Sequence, residues 1–349
     1  MKKFLIIPMV IALMMSFCLV GTVSHSVAAE KTWVLKYHHE MPATGSYHRY
    51  GHKPWADAVE KATKGRVKIQ IYPLQTLVKA KDAWNAVRSG LADIAWSFTA
   101  HQPGRFDLFT SLELPFMVTS AEAAAKTAWA LYEKYPELQG LFTDIKLLST
   151  WTTASYSIVS KKRLNKLEDL KGLKIRSAGP WQTNLMKLYG ASPMYIPMPD
   201  VYINFQKGVL DAVAAPADAY VSFKFYEVGQ YINQVNLPAG LHFLVMNKKR
   251  WNEFPPDIQK AIASVSGAYA GVHFLGGGTF DRAEREAPAA IKKAGYDVTF
   301  YKPSKTEMDR FIEVGGKPLW NKWLNANKSK GPAQAIFDDT KRLMKMYTK

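Results

Sequence analysis

A two-lobe α/β fold is predicted by three features. Strands and helices alternate in the first half of the chain, the same order is rebuilt in the second half, and the length exceeds what one core usually holds. Each lobe is expected to be a mostly parallel sheet flanked by helices, with a long helix in the C-terminal half bridging the two.

The first residues carry Lys2 and Lys3, then an apolar run over 4–20, then a polar segment ending in Val27-Ala28-Ala29. This three-part plan reads as a secretory leader, residues 1–29, cut after Ala29. Cys18, the single cysteine, lies inside the apolar run, and the bulky Phe17 before it argues against lipid attachment. The mature chain is therefore expected to carry no disulfide, thiolate nucleophile or cysteine-held metal. With no second long apolar run, the periplasm is the expected compartment. Removing 29 residues from 349 leaves 320, and the formal charge falls from +17 by the two lysines to +15. In an exported chain this charge suits anionic solutes or a solvated basic face rather than nucleic acid.

Residues 32–37 alternate as a strand, and the polar loop HHEMPATGSYH follows. A helix with Trp55, Val59 and Ala62 on one face stops at Gly65, and Val67, Ile69 and Ile71 mark a half-buried strand ended by Pro73. Ala83, Trp84 and Val87 recur at helical spacing before Gly90, and 94–98 is a buried strand. A Pro/Gly-punctuated loop then leads to an alanine-rich helix over 120–134. From Lys146, the strands LLSTW and YSIVS flank TTAS, which is taken as the crossing into the second lobe. Trp84-x5-Gly90-x2-Asp93-Ile94 is echoed by Tyr202-x5-Gly208-x2-Asp211-Ala212, as two similar lobes would produce. A strand over 241–246 is expected to return to the first lobe. A long helix follows Pro255-Pro256-Asp257, with a bend or break at Gly276–Gly278. A strand over 297–301 and helices over 305–314 and 334–347 complete the chain. The expected lobes are thus 30–151 with 241–275, and 152–240 with 280–325, followed by a C-terminal helix within 329–349.

The stretch 167–216 organises the candidate site. A short apolar strand (173–175) delivers Arg176 to its carboxyl end, and Gly179-Pro180 turn the chain into a helix beginning near Trp181. An arginine fork beside helix-start N–H groups suits a carboxylate or phosphate. A surface arginine at a strand end is the alternative. Aromatic residues at predicted strand ends, Trp96, Phe98, Trp151 and Tyr156, could line a crevice between lobes or simply fill the core. His38, His39, His48 and His52 place half of the eight histidines in one window, with Glu40 and Asp57 nearby, but at no established metal-ligand spacing. HExxH, GxSxG, CxxC and a phosphate-binding glycine loop are absent from the sequence.

The segments LEDLKGLKIR, LYGASPMYIPMPDVYINFQKGVLDAVAAP, KFYEVGQYI and FPPDIQKAI, with GRVKIQIYP and PGRFDLF...LPF upstream, resemble the extracytoplasmic solute-binding subunit of tripartite ATP-independent periplasmic (TRAP) transporters, of the DctP-like kind. That resemblance implies a two-lobe periplasmic binding protein clamshell that closes on an organic acid and delivers it to a TRAP membrane permease. It also implies a monomer that is not an enzyme and has no cofactor. The arginine ending the GLKIR-like strand, Arg176, is implied to pair with the ligand carboxylate. Against the sialic-acid-binding members, a second arginine is replaced by Tyr156, an asparagine by Ala215 and a phenylalanine by Met198. A less polar acid is therefore expected, with aromatic acids, 2-oxo acids and C4-dicarboxylates open. The candidate binding residues are Arg176, Tyr156, Met198, Ala215, Trp96, Phe98, His38 and Trp181. The rival readings are an exported metal-dependent enzyme using the His38/His39/His48/His52 loop, and a basic surface-binding protein without a small ligand.

Overall fold

The computed structural model describes residues 31–348, so the leader, its cut and Cys18 lie outside the described residues. Strands β1 (Trp33–His38), β2 (Val67–Tyr72), β3 (Ile94–Phe98), β4 (Lys146–Thr152) and β10 (Leu241–Met246) form one sheet in the order β2-β1-β3-β10-β4. The second sheet contains β5 (Tyr156–Ser160), β6 (Lys174–Ser177), β7 (Ser192–Tyr195), β8 (Ala212–Ala215), β9 (Tyr231–Leu237) and β11 (Thr299–Tyr301), in the order β11-β9-β5-β8-β6-β7. Each sheet is parallel except for one reversed strand, β10 in the first and β5 in the second. Strands covered by helices on both faces are mostly apolar, and β3, β8 and β10 are buried at every position, Ser97 and His242 being the polar residues among them.

The chain passes between the sheets at 153–155, where β4 gives way to β5, and returns at 238–240, where β9 gives way to β10. These links run side by side. Thr153 N donates to Gly240 O at 3.0 Å, and Gly240 N donates to Thr153 Oγ1 at 3.0 Å. A side chain at Gly240 would begin 2.8 Å from the Phe98 ring, so glycine lets the return link pass against β3. Helices Lys53–Ala62, Ala83–Ser89 and Ala121–Lys134 pack on the first sheet, and the C-terminal helix Ala333–Tyr347 lies on Ala121–Lys134. Helices Pro180–Leu188, Met198–Gln206 and Ala217–Ser222 pack with the second sheet.

The helical region expected after Pro255 is divided into Pro256–Ser264, a turn of helix over 267–275, and Phe280–Lys293. Gly267 takes a φ of +59° against the Trp129 ring, which ends the first piece. At Gly278 a Cβ would sit 2.1 Å from His273 O, so the Gly276–Gly278 turn is sterically closed to side chains. The run passes there from the first sheet's side to the second's, where Phe280–Lys293 packs on Ala217–Ser222. A second helical run crosses in the other direction. Lys305–Phe311, a π-helical turn Ile312–Gly316 and Lys317–Asn327 follow one another without a break. Gly315-Gly316 and Pro318 do not end this helix, because the wide turn accommodates the missing proline donor.

Gly315 sits where a Cβ would meet Leu185 Cδ1 at 2.4 Å and the Tyr189 hydroxyl at 2.6 Å, while Gly316 faces Phe116. Replacing Gly315 with Ala is therefore expected to lower the stability of the fold by about 1–3 kcal/mol through overpacking. A chemical denaturation midpoint equal to that of the parent chain would contradict this close approach.

Candidate functional site

The two sheets present their carboxyl-end loops to one cavity, the usual ligand crevice of α/β folds. Arg176 lines it from β6, between β7 and β8. Its Nε donates to Ile196 O at 3.1 Å, just beyond β7, and its Nη1 donates to Ala214 O in β8 at 3.0 Å. The neighbouring strands thus clamp the guanidinium from both sides. Nη2 makes no hydrogen bond among the described residues, and no carboxylate oxygen among them lies within ion-pair distance of this arginine. Arg176 is only 4% exposed, and burial pulls its pKa below the ordinary arginine value, countered by the Tyr156, Tyr195 and Glu40 side chains. A buried guanidinium lacking a paired anion costs several kcal/mol unless something supplies that charge.

The first sheet contributes most of the aromatic wall. Trp96 and Phe98 lie two apart in β3, so both point to the same face. Trp96 Nε1 donates to His242 Nδ1 at 3.2 Å, and Tyr47 Oη lies 3.1 Å from the same nitrogen. An indole N–H can only donate, so Nδ1 accepts and the neutral imidazole carries its proton on Nε2. Burial keeps His242 neutral, pushing its pKa well below the ordinary histidine value. Phe280, Tyr156 and Met198 close the apolar lining.

Two acids stand among these rings. Glu40, two residues beyond β1, is 6% exposed and makes no hydrogen bond among the described residues. The His101 ring is its nearest ion-pair partner, with Nε2 at 3.9 Å from Glu40 Oε2. Burial pushes the Glu40 carboxyl up to about 7, partly countered by the positive field of Arg176. Asp218, in the short helix after β8, is 2% exposed, and its Oδ1 has no partner. Burial pushes this carboxyl up to about 7 as well, with Glu284 adding to the rise. Glu113 is also held near 7, by burial, but it accepts from Thr99 Oγ1 at 2.5 Å and Leu241 N at 2.8 Å and so ties the β3 end to the return link.

Of the residues singled out in the sequence, Arg176, Tyr156, Met198, Trp96 and Phe98 line this cavity. Ala215 does not. It is fully buried in β8 against Val159 and Phe205, and the next residue, Pro216, reaches the cavity instead. His38 is buried at the end of β1 with neither ring nitrogen bonded, outside the lining. Trp181 and the helix start at Gly179-Pro180 face a separate, shallow recess. There Trp181 Nε1 donates to Thr110 Oγ1 at 3.1 Å, and Gln182 Oε1 accepts from Ala178 N at 2.7 Å, so the helix-start donors do not converge with Arg176.

The histidine window forms a network of its own. Met41 N donates to His39 Nδ1 at 3.2 Å, so His39 donates through Nε2 to His48 Nδ1 at 2.9 Å. His39 stacks on His52 with ring centroids 4.3 Å apart, and Tyr37 Oη bonds His52 Nδ1. Among the described residues no group of three or more His, Cys, Asp or Glu side chains is arranged to hold a metal ion. Glu40, His101, Asp218, His242 and Tyr195 are cavity residues that sequence reasoning passed over. Glu40 and Asp218 both follow strand ends closely, and that position was the available signal.

The family model described as bacterial extracellular solute-binding protein, family 7 (DctP), matches residues 37–326. The chain belongs to this family. A TRAP solute-binding protein from Rhodoferax ferrireducens, solved with copurified benzoate, superposes with a TM-score of 0.84 at 25% identity, covering 91% of this chain and 99% of that one. A marine metagenome TRAP solute-binding protein from an unidentified microbe, specific for aromatic acids and bound to 3-hydroxybenzoate, gives 0.84 at 26% identity, covering 91% and 100%. The 2,3-diketo-L-gulonate-binding periplasmic protein of Escherichia coli strain K12 is 27% identical over 248 residues, 70% of this chain and 75% of its own length. These relatives are solute receptors and not enzymes, and the last is periplasmic by name. Among the described residues no helix is long and apolar enough to cross a membrane.

The folded-state pKa of Glu40 lies above its unfolded value near 4.5, so this carboxyl favours folding fully below that pH and the contribution is lost as pH rises through about 7. Glu40→Gln removes the cost of ionising a buried acid. Relative to the parent chain, the variant is expected to gain about 1–3 kcal/mol on going from pH 5 to pH 8. Equilibrium urea unfolding at the two pH values measures this, and a pH-independent difference would count against the buried, unpaired setting of Glu40.

Proposed function

We propose that the mature chain is a periplasmic receptor that binds a small organic acid, seats its carboxylate on Arg176 and delivers it to a TRAP membrane permease without chemical turnover. The observation that carries this reading is the Arg176 guanidinium, held by two backbone carbonyls in an aromatic-lined cavity, with Nη2 unpartnered and no anion paired to it among the described residues. A carboxylate is the ligand group that supplies both the missing acceptor and the missing charge. Export fits the predicted leader, and the family membership fits a receptor.

Magnitudes indicate the ligand's body. Charge-assisted hydrogen bonds contribute roughly 1.5–3 kcal/mol each, whereas micromolar affinity requires about 8. Burying an apolar body of about 150 Å² adds about 4 kcal/mol, so the hydrophobic walls have to carry much of the binding. Trp96, Phe98, Tyr47, Phe280 and Tyr156 offer flat apolar contact on several sides. An aromatic or similarly flat acid fits this lining best, in keeping with the benzoate and 3-hydroxybenzoate bound by the two solved relatives. The replacements at Tyr156 and Met198, which line the cavity, point the same way, away from a polyhydroxylated acid. The lobes 30–151 with 241–275 and 152–240 with 280–325 would move about the paired links at 153–155 and 238–240.

Arg176→Ala is expected to weaken benzoate binding at least 100-fold while the circular dichroism spectrum stays that of the parent. Arg176→Lys should weaken it at least tenfold, because a point charge cannot keep both backbone bonds and still present a fork. Isothermal titration calorimetry decides, and parent-like affinity in both variants would remove Arg176 from the site.

A further inference from the structure

We propose that the solute is a monocarboxylate bearing a hydroxyl group away from its carboxylate, that Asp218 receives this hydroxyl, and that the cavity discriminates against dicarboxylates. The inference rests on the receptor reading above and deepens it.

The cavity is electrostatically two-ended. Arg176 supplies the only guanidinium in the lining, whereas Asp218 comes from a different element, the short helix after Pro216. The side chains that act electrostatically on Arg176 are Tyr156, Tyr195 and Glu40, and Asp218 is not one of them. Those that face Asp218 are Tyr47, Tyr156, Tyr220 and Glu284, and none is cationic. Asp218 is 98% buried, with Oδ1 sealed from solvent and unbonded, and the Tyr220 hydroxyl beside it is unbonded too. Backbone N–H groups of Ala219 and Asp218 reach the carboxyl, but an unpaired buried oxygen such as Oδ1 still costs about 1–3 kcal/mol, so a ligand group that completes it gains that amount in selectivity.

Hydroxyl is the group that fits. It donates to the carboxylate, and it accepts from the carboxylic acid if Asp218 is protonated, so it satisfies the residue in either state. A second ligand carboxylate can only accept: it is repelled by Asp218 when that acid is ionised, and when Asp218 is protonated it brings its own charge into a low-dielectric enclosure where none of the groups facing Asp218 is cationic. A bare ring leaves Oδ1 unbonded. An ammonium group would share the enclosure with the guanidinium clamped at Arg176, a like charge.

The test is calorimetric titration at pH 7 of the mature parent chain, Asp218→Ala and Asp218→Asn with benzoate, 3- and 4-hydroxybenzoate, isophthalate and 3-(aminomethyl)benzoate. Thermal unfolding confirms that each variant folds. In the parent chain the better hydroxybenzoate is expected to bind at least tenfold more tightly than benzoate, and isophthalate and the amine more weakly than that hydroxybenzoate. Asp218→Ala should reduce the hydroxybenzoate-to-benzoate ratio to about twofold or less. Asp218→Asn should restore part of it, because the amide oxygen still accepts. Equal binding of benzoate and both hydroxybenzoates by the parent overturns the inference and leaves the receptor reading standing. So does a ratio untouched by Asp218→Ala, or tighter binding of isophthalate or the amine. If no acid binds the parent chain, the receptor reading falls and this inference falls with it.

Discussion

The site depends on one constraint: a guanidinium is fixed in place before any ligand arrives. Arg176 gives two of its nitrogens to Ile196 O and Ala214 O, and those carbonyls belong to chain on either side of β6. The fork is therefore held at a set angle by the sheet itself, and the second Nη1 hydrogen and both Nη2 hydrogens are left to meet an incoming group. Lysine could not do this, since its three donors sit on one flexible atom and have no planar geometry to divide between anchor and ligand. Pre-orienting the cation removes the rotamer entropy that a free arginine would lose on binding. Its cost is a buried charge without a paired anion, which the protein tolerates through the partial charges of Tyr156 and Tyr195 and through the acid at Glu40.

The topology serves the same arrangement. Each sheet contributes its carboxyl-end loops to one cavity, and the two reversed strands, β5 and β10, are those reached by the links between sheets. Thr153 and Gly240 bind those links to each other, and Phe98, Tyr156 and Gly240 meet close to that point. The hydrogen-bonded links thus stand beside the aromatic wall, so a change in the angle between the sheets would be felt first by the rings that line the cavity. The helical runs 256–293 and 305–327 cross between the same sheets at glycine-rich turns where side chains have no room.

Much of this was legible in the sequence, and what was not has physical reasons. The strands showed because β2 alternates and β3, β8 and β10 are mostly apolar runs. Arg176, Trp96, Phe98, Tyr156 and Met198 could be placed near one crevice because each sits at or close to the end of a predicted element. Ala215 misled because a small residue in an all-buried strand looks the same whether it faces a cavity or a core, and here it faces Phe205. Trp181 misled because its indole turns to Thr110, across the chain from Arg176. The 305–327 helix was cut short because Gly-Gly-x-Pro is ordinarily a stop, and only a π-helical turn carries it through. For Glu40 and Asp218 the place just after a strand end was the one signal, and it is a weak one, since an acid in a polar loop or an opening helical turn is usually solvated. Burial, which only the folded chain reveals, is what gives them chemical meaning.

A receptor built this way reads its solute at two places. The clamped arginine recognises a carboxylate, and the aromatic walls remove the body from water and supply most of the affinity. The unpartnered acids then make the second ligand group count. The most direct measurement is a crystal structure of the mature chain with a tightly bound aromatic acid. The account predicts the ligand carboxylate within hydrogen-bond distance of Arg176 Nη2, with the Ile196 and Ala214 bonds intact and the ring between Trp96, Phe98 and Tyr156. A ligand whose carboxylate lies elsewhere in the cavity, with Nη2 still unbonded, would contradict it.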